Sequence, residues 1–155
     1  MGITSAICST FKKELMTATH NFTTTSGNTM KVALIKAQAS QTGTYSAATT
    51  SYTTITGNSD ELANGSGYTT GGNTLTNVTP TNGTSTTTTA LTDFADSEWT
   101  SATFTTRGCV IYNDSASGDP AVMVIDFGAD YSVAGGTFTI QFPTADESNA
   151  ILRIT

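Results

Sequence analysis

The chain has 155 residues, the length of one domain, and a domain of that size buries about 70% of the surface its unfolded chain exposes, so folding needs no metal or disulfide staple. Twelve acids against six bases give a formal net charge of −6, and Lys12, Lys13, Lys31, Lys36, Arg107 and Arg153 form no basic block, which disfavours a nucleic-acid partner. No window approaches the ~18 apolar residues of a membrane helix, so no membrane partner is expected.

Threonine dominates: 35 residues are Thr and 24 more are Ser or Asn, while Asp, Glu, Lys and Arg together make only 12%. Thr is β-branched and favours extended backbone, so this composition works against helix. Few charges and many short hydroxyls predict a neutral, hydrogen-bonding exterior. Chains that pack against neighbours in an assembly have this character, and so do some sugar-binding β-proteins.

In chain order, the spacing predicts one short N-terminal α-helix within residues 1–20. Ile3, Ile7, Phe11 and Leu15 recur every four residues as a stripe for packing or oligomer formation. Thr4 or Ser5 would cap it, and it would end near His20-Asn21. Lys12 and Lys13 follow the mildly apolar start, the reverse of a secretory signal. Residues 29–155 are expected to form a β-sandwich. Thr29 to Ile35 reads as a half-buried strand. Residues 37–72 read as a long polar loop, with one helical turn at Ser59 to Ala63, and loops of that length are usually functional or ordered by a partner. Leu75 to Thr79, Thr86 to Phe94, Phe104 to Tyr112, Ala121 to Phe127, Thr137 to Phe142 and Ile151 to Ile154 read as further strands, with Gly135-Gly136 opening one of them. Short strands at close spacing predict a mainly β fold: an antiparallel β-sandwich, jelly-roll-like, in one domain.

Catalytic constellations do not emerge. Cys8 and Cys109 lack metal or redox spacing and read as buried apolar residues, with a disulfide between them left open. His20, the single histidine, reads as structural or as a helix C-cap. Asp93, Asp96 and Glu98 cluster without a calcium-loop rhythm and read as turn and cap chemistry, with an ion as the rarer alternative. Asp114 and Asp119 read as turn residues. Phe94 and Trp99 bracket the acidic turn, where Trp99 would either fill the core or stack on a sugar. No enzyme activity, metal or cofactor is expected.

Several phrases carry a likeness. Gly2-Ile3-Thr4-Ser5-Ala6-Ile7-Cys8 runs through Lys12-Lys13-Glu14-Leu15 to Thr19-His20-Asn21-Phe22. Ser66-Gly67-Tyr68-Thr69 leads to Gly71-Gly72-Asn73-Thr74-Leu75, and Phe94-Ala95-Asp96 precedes Trp99 and Arg107-Gly108. Asp126-Phe127-Gly128, Gln141-Phe142-Pro143-Thr144-Ala145-Asp146 and Asn149-Ala150-Ile151-Leu152-Arg153 close the chain. Together they resemble small virion structural proteins of tailed bacteriophages, over nearly the whole chain except about residues 37–64. The resemblance implies a component of the phage particle. Capsid decoration (cement) proteins of such phages are commonly small β-sandwich or jelly-roll modules, often trimeric, that brace neighbouring capsid subunits. The partners would be the major capsid protein or other virion proteins, with further copies in a homo-oligomer, a trimer being favoured. Tyr45, Tyr52 and Tyr68 are the candidate partner contacts, because Tyr delivers area at low entropy cost; the alternative is that they cover the sandwich. A tail- or fibre-associated receptor- or glycan-binding β-module is the rival reading.

Overall fold

Abundant β-branched residues and scarce charge give a chain that folds mainly as antiparallel sheet, β-sandwich-like in architecture. The computed structural model describes residues 1–85 and 88–155. Its strands are β1 (Gly2–Ile3), β2 (Ala6–Ile7), β3 (Met30–Lys36), β4 (Thr44–Tyr45), β5 (Asn73–Thr74), β6 (Asn77–Asn82), β7 (Ala90–Phe94), β8 (Ser97–Asn113), β9 (Ala121–Ile140) and β10 (Leu152–Ile154). The helices are α1 (Ser9–Met16) and α2 (Thr53–Gly57), with a 3-10 turn at Gln38–Ser40. A five-stranded sheet has the order β2-β9-β8-β3-β5 and a three-stranded sheet the order β10-β7-β6; β1 and β4 form a short parallel pair. No described helix is long and apolar enough to cross a membrane.

The centre of the larger sheet is covered on both faces. Val32, Ala33, Leu34 and Ile35 on β3, and Cys109, Val110 and Ile111 on β8, are fully buried although successive side chains point to opposite faces. That is why Ala121 to Val124 of β9 read as a continuous apolar run, and it corrects the expectation of a half-buried strand at Thr29 to Ile35, where Val32 to Ile35 are covered on both faces.

The N-terminus departs from the expected helix over residues 1–20. Ile3 pairs with Tyr45 in β1–β4, and Ile7 pairs with Met123 in β2–β9. The backbone N–H groups of Thr4 and Cys8 donate to the carbonyls of Tyr45 and Val122 at 2.8 and 2.9 Å, so this stretch is held as strand. Only Ser9–Met16 is helical; the chain leaves the helix through Ala18, whose φ of 55° lies in the left-handed region. Ile3 and Ile7 therefore do not share a helix face with Phe11 and Leu15.

Two further expectations are revised. The helical turn at 59–63 is replaced by α2 at Thr53–Gly57, while Glu61 bridges to Ile35. Gly135-Gly136 makes no turn between strands. Ala121–Ile140 is one strand of 20 residues, paired along its length with β8 and interrupted by register shifts. Gly135, with φ 68°, sits beside one of those shifts, where glycine allows a bulge. The expected strand Thr86 to Phe94 begins on Thr86 and Thr87, outside the described residues; its described part is β7, Ala90–Phe94.

Candidate interaction site

The long polar segment 37–72 is not a loose loop. Its tyrosines turn inward and end on its own two acids, Asp60 and Glu61. Tyr45 is fully buried, and its hydroxyl donates to Asp60 Oδ2 at 2.5 Å. Asp60 also accepts the N–H of Thr42 at 2.9 Å, the N–H of Gly43 at 2.7 Å and the Thr42 hydroxyl at 3.3 Å. Glu61 accepts from Tyr52 at 2.7 Å, from Tyr68 at 2.8 Å and from the N–H of Gly71 at 2.6 Å. The Tyr68 oxygen in turn accepts the N–H of Leu34 at 3.1 Å, and Tyr52 stacks on Tyr112 with ring centroids 4.5 Å apart. Buried polar groups need partners, and here each acid supplies several tyrosine and backbone donors with one.

These contacts set the local acid–base properties. Burial raises the pKa of Asp60, but the donors from Tyr45, Gly43 and Thr42 together outweigh it and hold the carboxyl below its ordinary value. Burial, reinforced by the hydrogen bond to Asp60, pushes Tyr45 upward; burial and Glu61 do the same for Tyr52 and Tyr68. The three tyrosines are thus neutral donors.

As partner contacts, Tyr45 and Tyr68 are corrected: at 0% and 2% exposure they offer a neighbour nothing, because their rings cover the sheet and their hydroxyls are spent on Asp60 and Glu61. Tyr52 is half-buried and its hydroxyl is likewise engaged. The signal for this arrangement is in the sequence: Asp60-Glu61 is the only acidic pair in residues 37–72, and three tyrosines there need hydroxyl partners.

Of the predicted acidic turn only Asp93 faces inward; Asp96 and Glu98 are exposed, Glu98 on β8. Asp93 is buried, with the N–H groups of Phe94 and Ile151 on its two oxygens at 2.8 and 3.0 Å. Burial raises its pKa more than these donors lower it. Asp96 accepts the N–H of Phe142 at 2.9 Å. Trp99, at 3% exposure, packs in the core beside Tyr68 and Phe138 rather than facing solvent. Among the described residues no three His, Cys, Asp or Glu side chains stand together to hold a metal ion. Cys8 and Cys109 are free thiols in the core; burial pushes Cys8 up to about 12 and Cys109 higher still. His20 lies past the end of α1 and does not cap it. Its Nε2 meets Glu14 at 2.9 Å, its Nδ1 meets Asn113 Nδ2 at 3.1 Å, and Phe11 and Phe22 flank the ring.

One apolar surface remains open. A groove of about 870 Å³ runs between the helix side, presenting Ile7, Phe11 and Leu15, and the three-stranded sheet, presenting Leu91, Leu152 and Ile154. Three of the four expected stripe residues meet there, brought together from a strand and a helix; Ile3 instead lies buried over Gly108. Ile154 is 62% exposed at the rim. Lys12 and Arg153 also line the groove, whereas no Asp or Glu does. The Asp and Glu side chains sit elsewhere, and beside the apolar walls the groove presents Lys12 and Arg153 with the polar Asn21, Thr92 and Thr155. Nothing in the sequence singled out Leu91, Leu152 or Ile154, because their strands lie far from the helix in the chain. No family model, curated protein or solved structure matches this chain.

Proposed function

We propose that this chain is a structural protein of a tailed-phage virion, a capsid decoration protein that bridges and braces neighbouring major capsid subunits. The observation that carries the reading is the open apolar groove on a hydroxyl-rich body with few charges. Apolar surface of this kind, rimmed by polar residues, marks an interaction site. The likeness to virion structural proteins adds the setting, and a small β-sandwich-like body fits a decoration module, for which a jelly-roll connection of the strands is our finer reading. The interior tyrosine–carboxylate contacts suit a part that must hold its shape under load, since satisfied buried networks rigidify a core. Further copies in a trimer would let individually weak capsid contacts act together through raised effective concentration.

The rival glycan-binding tail module needs exposed aromatic platforms. Trp99, Tyr45 and Tyr68 are interior, and among the described residues Tyr131, at 51% exposure, is the aromatic side chain that stands open. The interaction reading therefore has more support than the sugar reading.

The test is stoichiometry in purified particles by quantitative mass spectrometry. Copies in the hundreds, lost together with resistance of the head to heat or chelators when the gene is deleted, are expected. A few copies per particle would move the chain to the tail, and none would end the virion reading.

A further inference from the structure

We infer that the groove receives an extended arm of a different virion protein, laid along β10 as an added strand, with apolar side chains at alternate positions and a carboxylate facing Lys12. The inference rests on the virion reading and names the partner chemistry of its groove. β10 is the end strand of the β10-β7-β6 sheet, so one of its edges has no neighbouring strand. Four consecutive residues, Leu152 to Thr155, line the groove, which therefore follows the strand rather than touching it at one point.

Unpaired strand edges are normally guarded by charge, proline or a bulge. Here Pro80 lies on β6, at the opposite side of the sheet, and β10 pairs with β7 in regular register. The single charge on β10 is Arg153, and its guanidinium folds back to donate to the carbonyls of Glu147 and Ser148. The edge is left approachable beside an exposed Ile154. An incoming strand would gain main-chain hydrogen bonds from the edge, and its alternate side chains would enter the apolar groove.

Charge selects the kind of arm. The groove is lined by the exposed Lys12 and by none of the twelve acids of the chain, while the guanidinium of Arg153 is taken up by backbone carbonyls, so an acidic segment is favoured over a basic one. A second copy of this chain fits less well. Its large exposed apolar side chains are Met1, Met16, Tyr131 and Ile154, which are scattered singly and form no alternating free segment.

The experiment places photo-reactive benzoylphenylalanine at position 154 in chains assembled on phage particles, with position 137 on the exposed part of β9 as the control. After irradiation, position 154 is expected to cross-link to one short stretch of another virion protein that position 137 does not reach. I154K and K12E, both at exposed positions, are expected to keep the parental melting temperature and lower particle occupancy about tenfold, the effect of losing about 1.4 kcal/mol of contact energy. Cross-links from 154 only to other copies of this chain, or to no protein although particles carry the full complement, overturn the arm and leave the virion reading standing. Unchanged occupancy in both variants also overturns it. A chain missing from particles altogether removes the virion reading and the arm with it.

Discussion

Asp60 is the group on which the fold of segment 37–72 turns, and D60N isolates its charge without changing its size. In the parent, both carboxylate oxygens face donors only: Oδ1 takes the Thr42 N–H and hydroxyl, and Oδ2 takes the Gly43 N–H and the Tyr45 hydroxyl. An asparagine can keep one oxygen. With the NH2 in place of Oδ1, the Thr42 N–H can pass wholly to the remaining oxygen, which it already reaches at 3.0 Å, and the Thr42 hydroxyl keeps the Asn58 carbonyl, while the Gly43 N–H and the Tyr45 hydroxyl keep their acceptor. What is lost is the charge on that acceptor: bonds to a charged group contribute about 1.5–3 kcal/mol against about 0.5–1.5 kcal/mol for neutral ones, so a loss of about 1–2 kcal/mol is expected. That is a large share of the ~5–15 kcal/mol that holds a domain together. The pH dependence has a definite sign. The folded-state pKa of Asp60 lies below its ordinary value of 3.8, so its stabilisation is complete above that value and is lost as pH falls through the folded pKa. The gap between parent and variant is therefore full at pH 7 and narrows below about pH 4. The comparison must be between the two proteins, because Asp93, with its pKa raised by burial, favours the fold at low pH and loses that contribution as pH rises. Urea titration followed by the single, buried Trp99 measures both quantities. A loss below ~0.5 kcal/mol at pH 7, or a gap that stays constant down to about pH 2.5, would refute the reasoning.

Three other outcomes are expected. A Cβ at Gly72, where φ is 73°, would lie 1.9 Å from the Val32 carbonyl oxygen, so G72A should cost more than ~3 kcal/mol by thermal melting; G118A, with φ 85° and open space around it, should cost only ~1 kcal/mol. H20A removes a fully buried ring packed on Phe11 and Phe22 and the partner of Glu14, while Asn113 Nδ2 keeps the Thr19 carbonyl and Asn28 Oδ1, which should cost about 2–4 kcal/mol by urea titration; a loss under ~1 kcal/mol would show that the ring is not holding the end of α1 against β8. Neither thiol should react with an aromatic disulfide reagent in the native protein at pH 8, since both are buried and their pKa values are raised. Labelling should instead track unfolding, and rapid modification of one cysteine in the folded state would contradict the packing.

The parts of the fold legible in the sequence are those where burial acts on both sides of a strand. Ala121 to Ile125 could hardly be anything but an interior strand, because few loops tolerate such an apolar run, whereas Met30 to Ile35, interrupted by Lys31, reads as half-buried although the fold covers both its faces. The N-terminal helix was misjudged for a definable reason: a spacing of four is also a multiple of two, so Ile3 and Ile7 suit strand as well as helix. What decided the matter was pairing with Tyr45 and Met123, distant in the chain. Gly135-Gly136 carried a true backbone signal assigned to the wrong feature, a bulge in a long hairpin instead of a turn between strands. The tyrosines misled because ring exposure depends on where the hydroxyl finds an acceptor, and Asp60 and Glu61, adjacent in sequence, serve opposite groups of donors.

That last point bears on where a partner would bind. Segment 37–72 looks adhesive in the sequence because it is long, polar and aromatic, yet folding gives the hydroxyl of each of its tyrosines a partner within the chain. The groove has the opposite character. Its apolar residues are ordinary core types drawn from distant parts of the chain, and folding leaves their surface facing a gap that no described side chain fills. Association is driven by demands that folding leaves unmet, mainly apolar area still in contact with water. By that criterion the unfilled space between α1 and the β10-β7-β6 sheet outranks any of the tyrosines as the place where another polypeptide binds. The same criterion predicts which substitutions will separate assembly from stability: changes at Asp60 or Glu61 should unfold the chain before they weaken any contact, whereas changes at Ile154 or Lys12 should do the reverse.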